Sequence, residues 1–306
     1  MSGGRPLKVG VQLPEVEREV RWPELRDMAQ VAEEVGFDSL WVGDHLLFRD
    51  PDRPPRGPWE AWSVLATLAA ITERVELGPL VASASFHNPA MLAKKAATID
   101  EISGGRLILG LGAGWNEVEY RAFGYPFDHR VDRFEEALAI IRGLLRDGEV
   151  DFVGRYHEAR DCILLPRPLR PKGPPIMIGT TGPRMLRLAA AHADDWNAWF
   201  TWYGNCPEGI GGLREKVDAA CASAGRDPAT LERTVAVLVQ VEGGEPARRG
   251  GPQDKASPIR GVPEEVAESL RSFAAEGISH VQLVIDPITV ASIERLGPVL
   301  DSLDRS

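Results

Sequence analysis

The sequence predicts an α/β fold, a (β/α)8 TIM barrel with small insertions. Short apolar runs of strand length alternate eight times with longer segments of helical periodicity. The runs are apolar throughout, which is typical of parallel strands buried on both faces. The 306 residues suit a single domain, residues 1–306, because such a barrel needs about 250 residues. An open doubly wound sheet is the alternative that the same alternation allows.

The predicted strands are short runs rich in Val, Ile and Leu. In chain order they cover residues 8–13, 39–42, 75–82, 107–111, 176–178, 196–198, 234–241 and 280–285. The predicted helices between them cover residues 23–35, 59–71, 89–102, 130–146, 183–191, 213–224, 263–275 and 290–303. Proline and glycine support these bounds. Pro89 and Pro183 stand in first helical turns, and Gly36 follows a last turn.

Two segments interrupt the alternation and are predicted insertions, at about residues 148–172 and 243–261. The first contains the β-rich runs FVGRYHE and CILL, which predict a small hairpin over residues 150–165. The second reads GGEPARRGGPQDKASPIRG, a composition that predicts a mobile loop after the seventh strand. That loop is either a lid over the mouth of the barrel or a surface excursion without a role.

Composition and charge argue against several classes of partner. The chain has 35 basic and 45 acidic side chains, a net charge of −10, so no nucleic acid and no membrane surface is an expected partner. No apolar run reaches the roughly 18 residues of a transmembrane helix, and the first residues lack the apolar core of a secretory signal. Three cysteines without CxxC spacing predict reduced thiols and a cytoplasmic location.

Asp44 and His45 are the candidate acid–base pair, because they follow the second strand directly. An imidazole beside a carboxylate is typical of proton transfer or substrate orientation. Consecutive side chains diverge, so the alternative is that Asp44 caps a loop and His45 is merely exposed. The other histidines form no HxH or HExxH pattern, so no metal site is predicted and a metal hydrolase is a minor alternative.

Two glycine-rich segments follow predicted strands. In LGLGAGW, residues 109–115, a bare backbone lets a flat or phosphorylated ligand approach, although close strand packing explains the same glycines. In IGTTGPRML, Gly179 and Gly182 bracket two threonines, and Pro183 opens a helix whose free amides favour a phosphate. Arg184 stands close by, and a simple capped turn is the alternative.

Tryptophans cluster near the ends of predicted strands. Aromatic walls suit a planar cofactor or an apolar substrate, although each tryptophan alone is more typical of core packing. A small-molecule substrate is therefore expected. The residues predicted to line its pocket are Gln12, Trp115 and Trp199.

Several motifs in combination resemble the luciferase-like monooxygenase superfamily, especially its oxidoreductases that use the deazaflavin coenzyme F420. They are WVGDH at residues 41–45, VELGPLVASASFHNPAMLAKKAATIDEISGGRLILGLGAGWNEVEYRAFG at 75–124 and PIMIGTTGPRMLRLAAAHADDWN at 175–197. The resemblance covers nearly the whole chain in the expected order. It implies a (β/α)8 barrel, commonly a homodimer, that transfers a hydride between F420 and a small organic substrate.

The resemblance also implies roles for single residues. It makes Asp44 and His45 the pair beside the deazaflavin ring, with His45 as the proton-transfer or substrate-orienting group. It implies a non-prolyl cis peptide between Leu80 and Val81 that backs the ring. The cofactor contacts that it implies are Leu80, Val81, Ala82, Ala113, Gly114, Gly179, Thr180, Thr181 and Gly182.

The chain departs from the sugar-phosphate dehydrogenases of this superfamily at one position. Those enzymes place a glutamate directly after the glycine that follows the fourth strand, where this chain has Trp115, with Glu117 and Glu119 close behind. They also grip the substrate phosphate with basic side chains, whereas no lysine follows the fifth or sixth strand directly here. A smaller or more apolar substrate is therefore expected.

Two other functions remain as alternatives. Within the fold, the chain is alternatively an FMN-dependent monooxygenase using O2, although WVGDH together with GAGWNE favours the deazaflavin. In another class, it is a non-catalytic cofactor-binding barrel protein. For an F420 enzyme, a separate cofactor reductase is a candidate partner.

Overall fold

The computed structural model describes residues 4–51, 53–241 and 256–305. Within these ranges a large parallel sheet is surrounded by helices, and a two-stranded hairpin is separate from it. The strands are β1 (Lys8–Gln12), β2 (Ser39–Val42), β3 (Glu76–Pro79), β4 (Ala82–Ser83), β5 (Leu109–Gly112), β6 (Glu149–Val153), β7 (Glu158–Ile163), β8 (Ile176–Gly179), β9 (Asp195–Ala198), β10 (Glu232–Gln240) and β11 (His280–Asp286). The helices are α1 (Trp22–Val35), α2 (Ala61–Ile71), α3 (Pro89–Ile102), α4 (Glu117–Phe123), α5 (Arg130–Arg142), α6 (Pro183–His192), α7 (Ile210–Ser223), α8 (Pro263–Ala275), α9 (Val290–Arg295) and α10 (Gly297–Asp304).

The parallel strands close into a barrel. Their order is β3-β2-β1-β11-β10-β9-β8-β5-β4. The ring closes because Leu77 of β3 pairs with Leu107, next to β5, while β4 pairs with β5 itself. The strands β3 and β4 share one position, so the described strands form a closed barrel of eight positions. The predicted barrel is confirmed, and the open sheet is excluded.

The third predicted strand, residues 75–82, is divided into β3 and β4. A cis peptide between Leu80 and Val81 separates the two parts. Pairing with β2 ends at Pro79, and pairing with β5 begins at Ala82. The division places a corner of the chain at the carboxyl end of the barrel, where sites of this fold lie.

The helices differ from the prediction in three places. The predicted helix over residues 290–303 is two helices, α9 and α10, because Pro298 in the first turn of α10 lacks the amide hydrogen that would continue α9. The predicted helix over 130–146 ends at Arg142 and continues as a π-helical turn over Gly143–Asp147. Helix α4 is not among the predicted helices, because its 7 residues are too few to show a helical period.

The first predicted insertion is confirmed as a hairpin of β6 and β7. The carboxylate of Glu136 in α5 holds its tip by accepting hydrogen bonds from the amides of residues 155, 156 and 157, each at 2.8 Å. Most of the second predicted insertion, residues 243–255, lies outside the described residues. Beyond it, Ile259 pairs with Val239 of β10.

The barrel interior contains polar groups that stay uncharged. Asn197 Nδ2 donates to Thr234 Oγ1 and to Gln282 Oε1, each at 2.8 Å. Burial, together with the nearby charge of Lys8, lowers the pKa of His280 to about 3. His280 is therefore neutral at pH 7, and this layer is part of the core.

Two findings concern the predicted absence of membrane helices and the predicted state of the cysteines. Within the described ranges, no helix combines the length and the apolarity needed to cross a bilayer. As predicted, Cys162, Cys206 and Cys221 are free thiols.

Close packing around β5 gives a stability prediction. A Cβ on Gly110 would lie 2.1 Å from the carbonyl oxygen of Pro79, so Gly110→Ala lowers the free energy of unfolding by about 1–3 kcal/mol, as in other overpacked cores. Gly212 in α7 has open space around it, so Gly212→Ala raises this free energy by up to about 1 kcal/mol through helix propensity. Urea denaturation followed by circular dichroism measures both. A Gly110→Ala protein as stable as the wild type would contradict the packing.

Candidate active site at the barrel mouth

The imidazole of His45, directly after β2, lies between two carboxylates. Its Nδ1 lies 2.8 Å from Glu119 Oε1, and its Nε2 lies 3.6 Å from Glu15 Oε1. The side chain of His45 is 19% exposed, whereas that of Glu119 is 1% exposed. The ring therefore reaches solvent at the mouth while this acidic partner lies beneath the surface.

The surrounding carboxylates determine the charge of this ring. Burial lowers the pKa of His45, but the negative charges of Glu15, Glu119 and Asp44 outweigh burial and raise it to about 9. His45 is therefore a cation at neutral pH. Chemically, it can donate a proton or a charged hydrogen bond to a ligand at the mouth.

Glu119 reaches His45 from α4 and also holds the loop that follows β2. Its Oε2 accepts hydrogen bonds from the amides of Leu46 at 2.7 Å and Leu47 at 3.3 Å. Asn116, just before α4, donates to the carbonyl of Leu47 at 3.0 Å. The loop carrying His45 is thus fastened to α4 through both side chain and backbone.

The sequence pointed to Glu119 only together with Glu117, as carboxylates close behind Trp115, and it did not point to Glu15. A signal was present, since Asn116 followed by two glutamates and then Gly124 marks a short helix. That pattern does not tell which glutamate faces inward. The structure shows that Glu117 is exposed and Glu119 is buried.

Asp44 faces away from solvent and holds neighbouring backbone. Its Oδ2 accepts a hydrogen bond from the amide of Ser83 at 3.0 Å and lies 2.9 Å from His87 Nε2. The same His87 nitrogen lies 3.2 Å from Trp62 Nε1, so it donates to Asp44 or accepts from Trp62 but not both. This placement favours a structural role for Asp44 at β4 over proton transfer.

Leu80, Val81 and Ala82 form the corner between β3 and β4. The cis peptide that the resemblance implies between Leu80 and Val81 is present. The side chain of Val81 packs over two glycines, since a Cβ on Gly112 would lie 2.7 Å from Val81 Cγ2 and one on Gly179 would lie 3.2 Å from it. Close packing therefore accounts for Gly112, which agrees with the alternative interpretation of LGLGAGW, and Val81 limits the space at Gly179 as well.

The turn after β5 contains Ala113 and Gly114 and is held by α4. Tyr120 in α4 donates to the carbonyl of Ala113 at 3.0 Å and lies 2.8 Å from Ser83 Oγ. Gly114 has φ +75°, and a Cβ there would lie 1.8 Å from the Tyr120 hydroxyl. Only glycine fits this turn, so its backbone stays bare at the mouth.

The turn after β8 leads into α6 through residues 179–182. Thr180 is buried, its amide donates to the carbonyl of Asn197 at 3.1 Å, and its hydroxyl accepts from the amide of Gly182 at 3.2 Å. Thr181 is half-buried beside it. Gly182 is the N-cap of α6, has no side-chain cap and has open space around it. The first amides of α6 are thus available to an anion.

Arg184 is less available than the sequence suggested. Its guanidinium forms ion pairs with Asp132 and Glu135 of α5. A cavity of about 270 Å3 lies between the first turns of α5 and α6. Its lining residues are Phe127, His129, Arg130, Val131, Asp132 and Arg184.

Aromatic rings surround His45 at the mouth. The ring of Phe48, which the sequence analysis did not single out, lies 4.7 Å from the His45 ring, and that of Trp115 lies 5.5 Å from it. Trp115 is 64% exposed, so one face of it is open to a ligand. Gln12 is buried and lies next to this group, with Nε2 3.4 Å from Glu15 Oε2.

Trp199 stands apart from the other predicted pocket residues. It follows β9, which is four strand positions from β2 around the barrel, and it packs against Phe200 at 4.7 Å. A ligand that touches both Trp199 and His45 must therefore extend across the mouth.

The structure offers no metal site in the part of the chain that it describes. No group of three His, Cys, Asp or Glu side chains in residues 4–51, 53–241 and 256–305 is placed to hold a metal ion. The charged groups at the mouth form ion pairs with each other instead, as His45 does with Glu119.

Comparison with known proteins finds a reductase and an F420-dependent dehydrogenase among the relatives. A 5,10-methylenetetrahydromethanopterin reductase of Archaeoglobus fulgidus is 33% identical over 208 residues, which cover 68% of this chain and 57% of the reductase. An F420-dependent glucose-6-phosphate dehydrogenase of Amycolatopsis mediterranei is 38% identical over 178 residues, 56% of this chain and 51% of the dehydrogenase. The chain thus spans little more than half the length of these curated relatives.

Solved structures and a family profile extend the comparison. An F420-dependent secondary alcohol dehydrogenase, in complex with an F420-acetone adduct, matches with a TM-score of 0.80 over 97% of this chain and 99% of that chain. At 22% identity this match shows a shared fold. The profile of the luciferase-like monooxygenases matches residues 7–249, which include every barrel strand from β1 to β10. The chain therefore belongs to the luciferase-like monooxygenase family.

Proposed function

We propose that this protein is an oxidoreductase that transfers a hydride between coenzyme F420 and a small organic substrate. The observation that carries the proposal is the His45 imidazole at the mouth, which lies between the carboxylates of Glu119 and Glu15. Its strand, β2, is the neighbour of the strand that ends at the Leu80–Val81 corner. A cation at this place can exchange a proton with an oxygen whose carbon gains or loses a hydride. The names of the relatives, which include F420-dependent enzymes, support the choice of cofactor.

The residues at the mouth fit a planar cofactor with an anionic side chain. Leu80, Val81 and Ala82 offer an apolar backing for a ring, and the bare turn at residues 113–114 allows close approach from the side. The turn at residues 179–182 offers uncapped amides to a phosphate. The hydride chemistry itself is supplied by F420 when it is bound.

The substrate that fits this mouth is a neutral carbonyl or hydroxyl compound with an apolar body. His45 would bind its oxygen, while Phe48 and Trp115 would cover the apolar part and exclude water. We propose Gln12 and Trp199 as further pocket residues. A substrate phosphate fits poorly, because Glu15 and Glu119 place negative charge beside His45.

We further propose that the protein works as a homodimer and receives reducing equivalents from a separate reductase. Exposed apolar side chains on two joined segments of the surface support the dimer. These side chains belong to α3 and to the segment after β7. A hydrogen bond from Lys94 of α3 to the carbonyl of Leu165 joins the two segments. The exposed side chains are Met91, Ile102, Leu165 and Leu169. Analytical ultracentrifugation tests this part of the proposal.

The cofactor is tested by titrating the purified protein with F420 and, separately, with FMN, following tryptophan fluorescence. Eight tryptophans provide the signal, and Trp115 and Trp199 lie at the mouth. We expect F420 to bind with a dissociation constant of about a micromolar or tighter, a typical cofactor affinity, and FMN to bind more weakly. Preferential binding of FMN would favour the oxygen-using monooxygenase, and binding of neither would overturn the proposal.

The role of His45 is tested by His45→Asn in a panel of secondary alcohols and ketones. We expect kcat to fall by about 100-fold or more, the usual contribution of a positioned acid–base group, while F420 affinity changes little. The matched control is His192→Asn, because His192 is exposed at the far end of α6. An unchanged kcat in His45→Asn would support the non-catalytic cofactor-binding alternative.

A further inference from the structure

The carboxylate of Glu119 is almost completely buried, and both of its oxygens lie within hydrogen-bond distance of a partner. Oε2 accepts from the amides of Leu46 and Leu47, and Oε1 lies 2.8 Å from His45 Nδ1. An ionised carboxylate only accepts hydrogen bonds, so the hydrogen between these atoms belongs to Nδ1 of His45. Three hydrogen-bond partners, His45 and the amides of Leu46 and Leu47, thus converge on this one buried carboxylate.

We propose that Glu119 is a positioning residue that holds a proton on Nδ1 of His45 and so leaves Nε2 as the nitrogen that exchanges a proton with substrate. The proposal rests on the proposed function and deepens it. Glu119 does not reach the mouth itself, because its side chain is 1% exposed. It acts through the ring, whose tautomer and orientation it determines.

The opposite side of the ring is open to a ligand. Nε2 lies 3.6 Å from Glu15 Oε1, beyond hydrogen-bond distance, so its hydrogen is available to a substrate oxygen at the mouth. Gly43 makes room for this carboxylate, since a Cβ there would lie 2.4 Å from Glu15 Oε1. The two carboxylates therefore have different tasks: Glu119 fixes one nitrogen, and Glu15 attracts the proton of the other.

The proton and the electrons balance in a carbonyl reduction. The carbonyl carbon gains a hydride, with its two electrons, from the reduced cofactor, and the carbonyl oxygen gains the proton of His45 Nε2. His45 is left neutral, with its remaining proton on Nδ1 against Glu119. Water at the mouth then returns a proton to Nε2 beside Glu15. Oxidation of an alcohol runs through the same atoms in reverse.

The charged groups that face His45 come from three parts of the fold. Glu15 follows β1, Asp44 precedes the ring on the loop after β2, and Glu119 comes from α4. The aromatic rings of Phe48 and Trp115 complete the surroundings. With Glu119 neutralised, the two other acids remain, so the pKa of His45 falls but the ring stays titratable.

The wild-type protein alone gives the first test, by NMR of protein labelled with nitrogen-15 in histidine and free of cofactor. His45→Asn assigns the signal. We expect His45 to titrate with a pKa of about 9 and, above that pH, to carry its proton on Nδ1, the tautomer that is less populated in free histidine. A neutral form with the proton on Nε2 would overturn the proposal.

The second test compares Glu119→Gln with Glu117→Gln, a matched control two residues away on the exposed face of α4. We expect Glu119→Gln to lower the pKa of His45 by about 1–3 units, the usual effect of losing a paired charge, and Glu117→Gln to leave it unchanged. An unchanged pKa in Glu119→Gln would overturn the proposal. If Glu119→Gln does not fold, Glu119→Asp, which keeps the charge, is expected to retain a raised pKa.

The third test is the pH profile of ketone reduction by the loaded enzyme. The reaction needs protonated His45, so kcat falls as pH rises through the pKa of His45, and this fall is expected at lower pH in Glu119→Gln. If kcat of Glu119→Gln were lower by the same factor at every pH, Glu119 would have a merely structural role, and the proposal would be overturned. The NMR results do not depend on F420, so failure of F420 to bind would overturn the proposed function and leave them unaffected.

Discussion

The candidate site depends on one buried negative charge, the carboxylate of Glu119. A carboxylate with almost no solvent contact is unfavourable unless hydrogen-bond donors occupy its oxygens. Here the donors are His45 and the amides of Leu46 and Leu47, so the charge joins α4 to the loop after β2. The same contact orients the imidazole and, with Glu15, makes it a cation. Placement and charge of His45 thus have a common cause.

A second constraint is the close approach of the β3–β4 corner to its neighbours. Val81 packs over Gly112 and Gly179, and a larger residue at either glycine would push the corner outward. Asp44 fastens the strand that follows the corner through the amide of Ser83. The corner is therefore held by packing on one side and by a buried carboxylate on the other, and it can serve as a rigid backing for a planar ring.

The sequence predicted the barrel and most of its elements because strand and helix periods are local properties of the chain. It also placed His45 shortly after the second strand, where the structure has it. It did not single out Glu119, because α4 is too short for a helical period and its contact with His45 joins residues 74 positions apart. The sequence also placed Arg184 close to the phosphate site, whereas the structure pairs it with Asp132 and Glu135. The sequence does not show these ion pairs, because they arise only when α5 and α6 pack together.

We propose a hydride-transfer enzyme in a family that is named for monooxygenases, with His45 as the group that exchanges the proton. The most direct measurement is deuterium transfer from a secondary alcohol labelled at its carbinol carbon, with F420 as acceptor. If the alcohol carbon passes its hydride to F420, we expect deuterium to appear in the reduced cofactor at the same rate with and without oxygen. Turnover that requires oxygen, or a cofactor reduced without the label, would contradict the proposal.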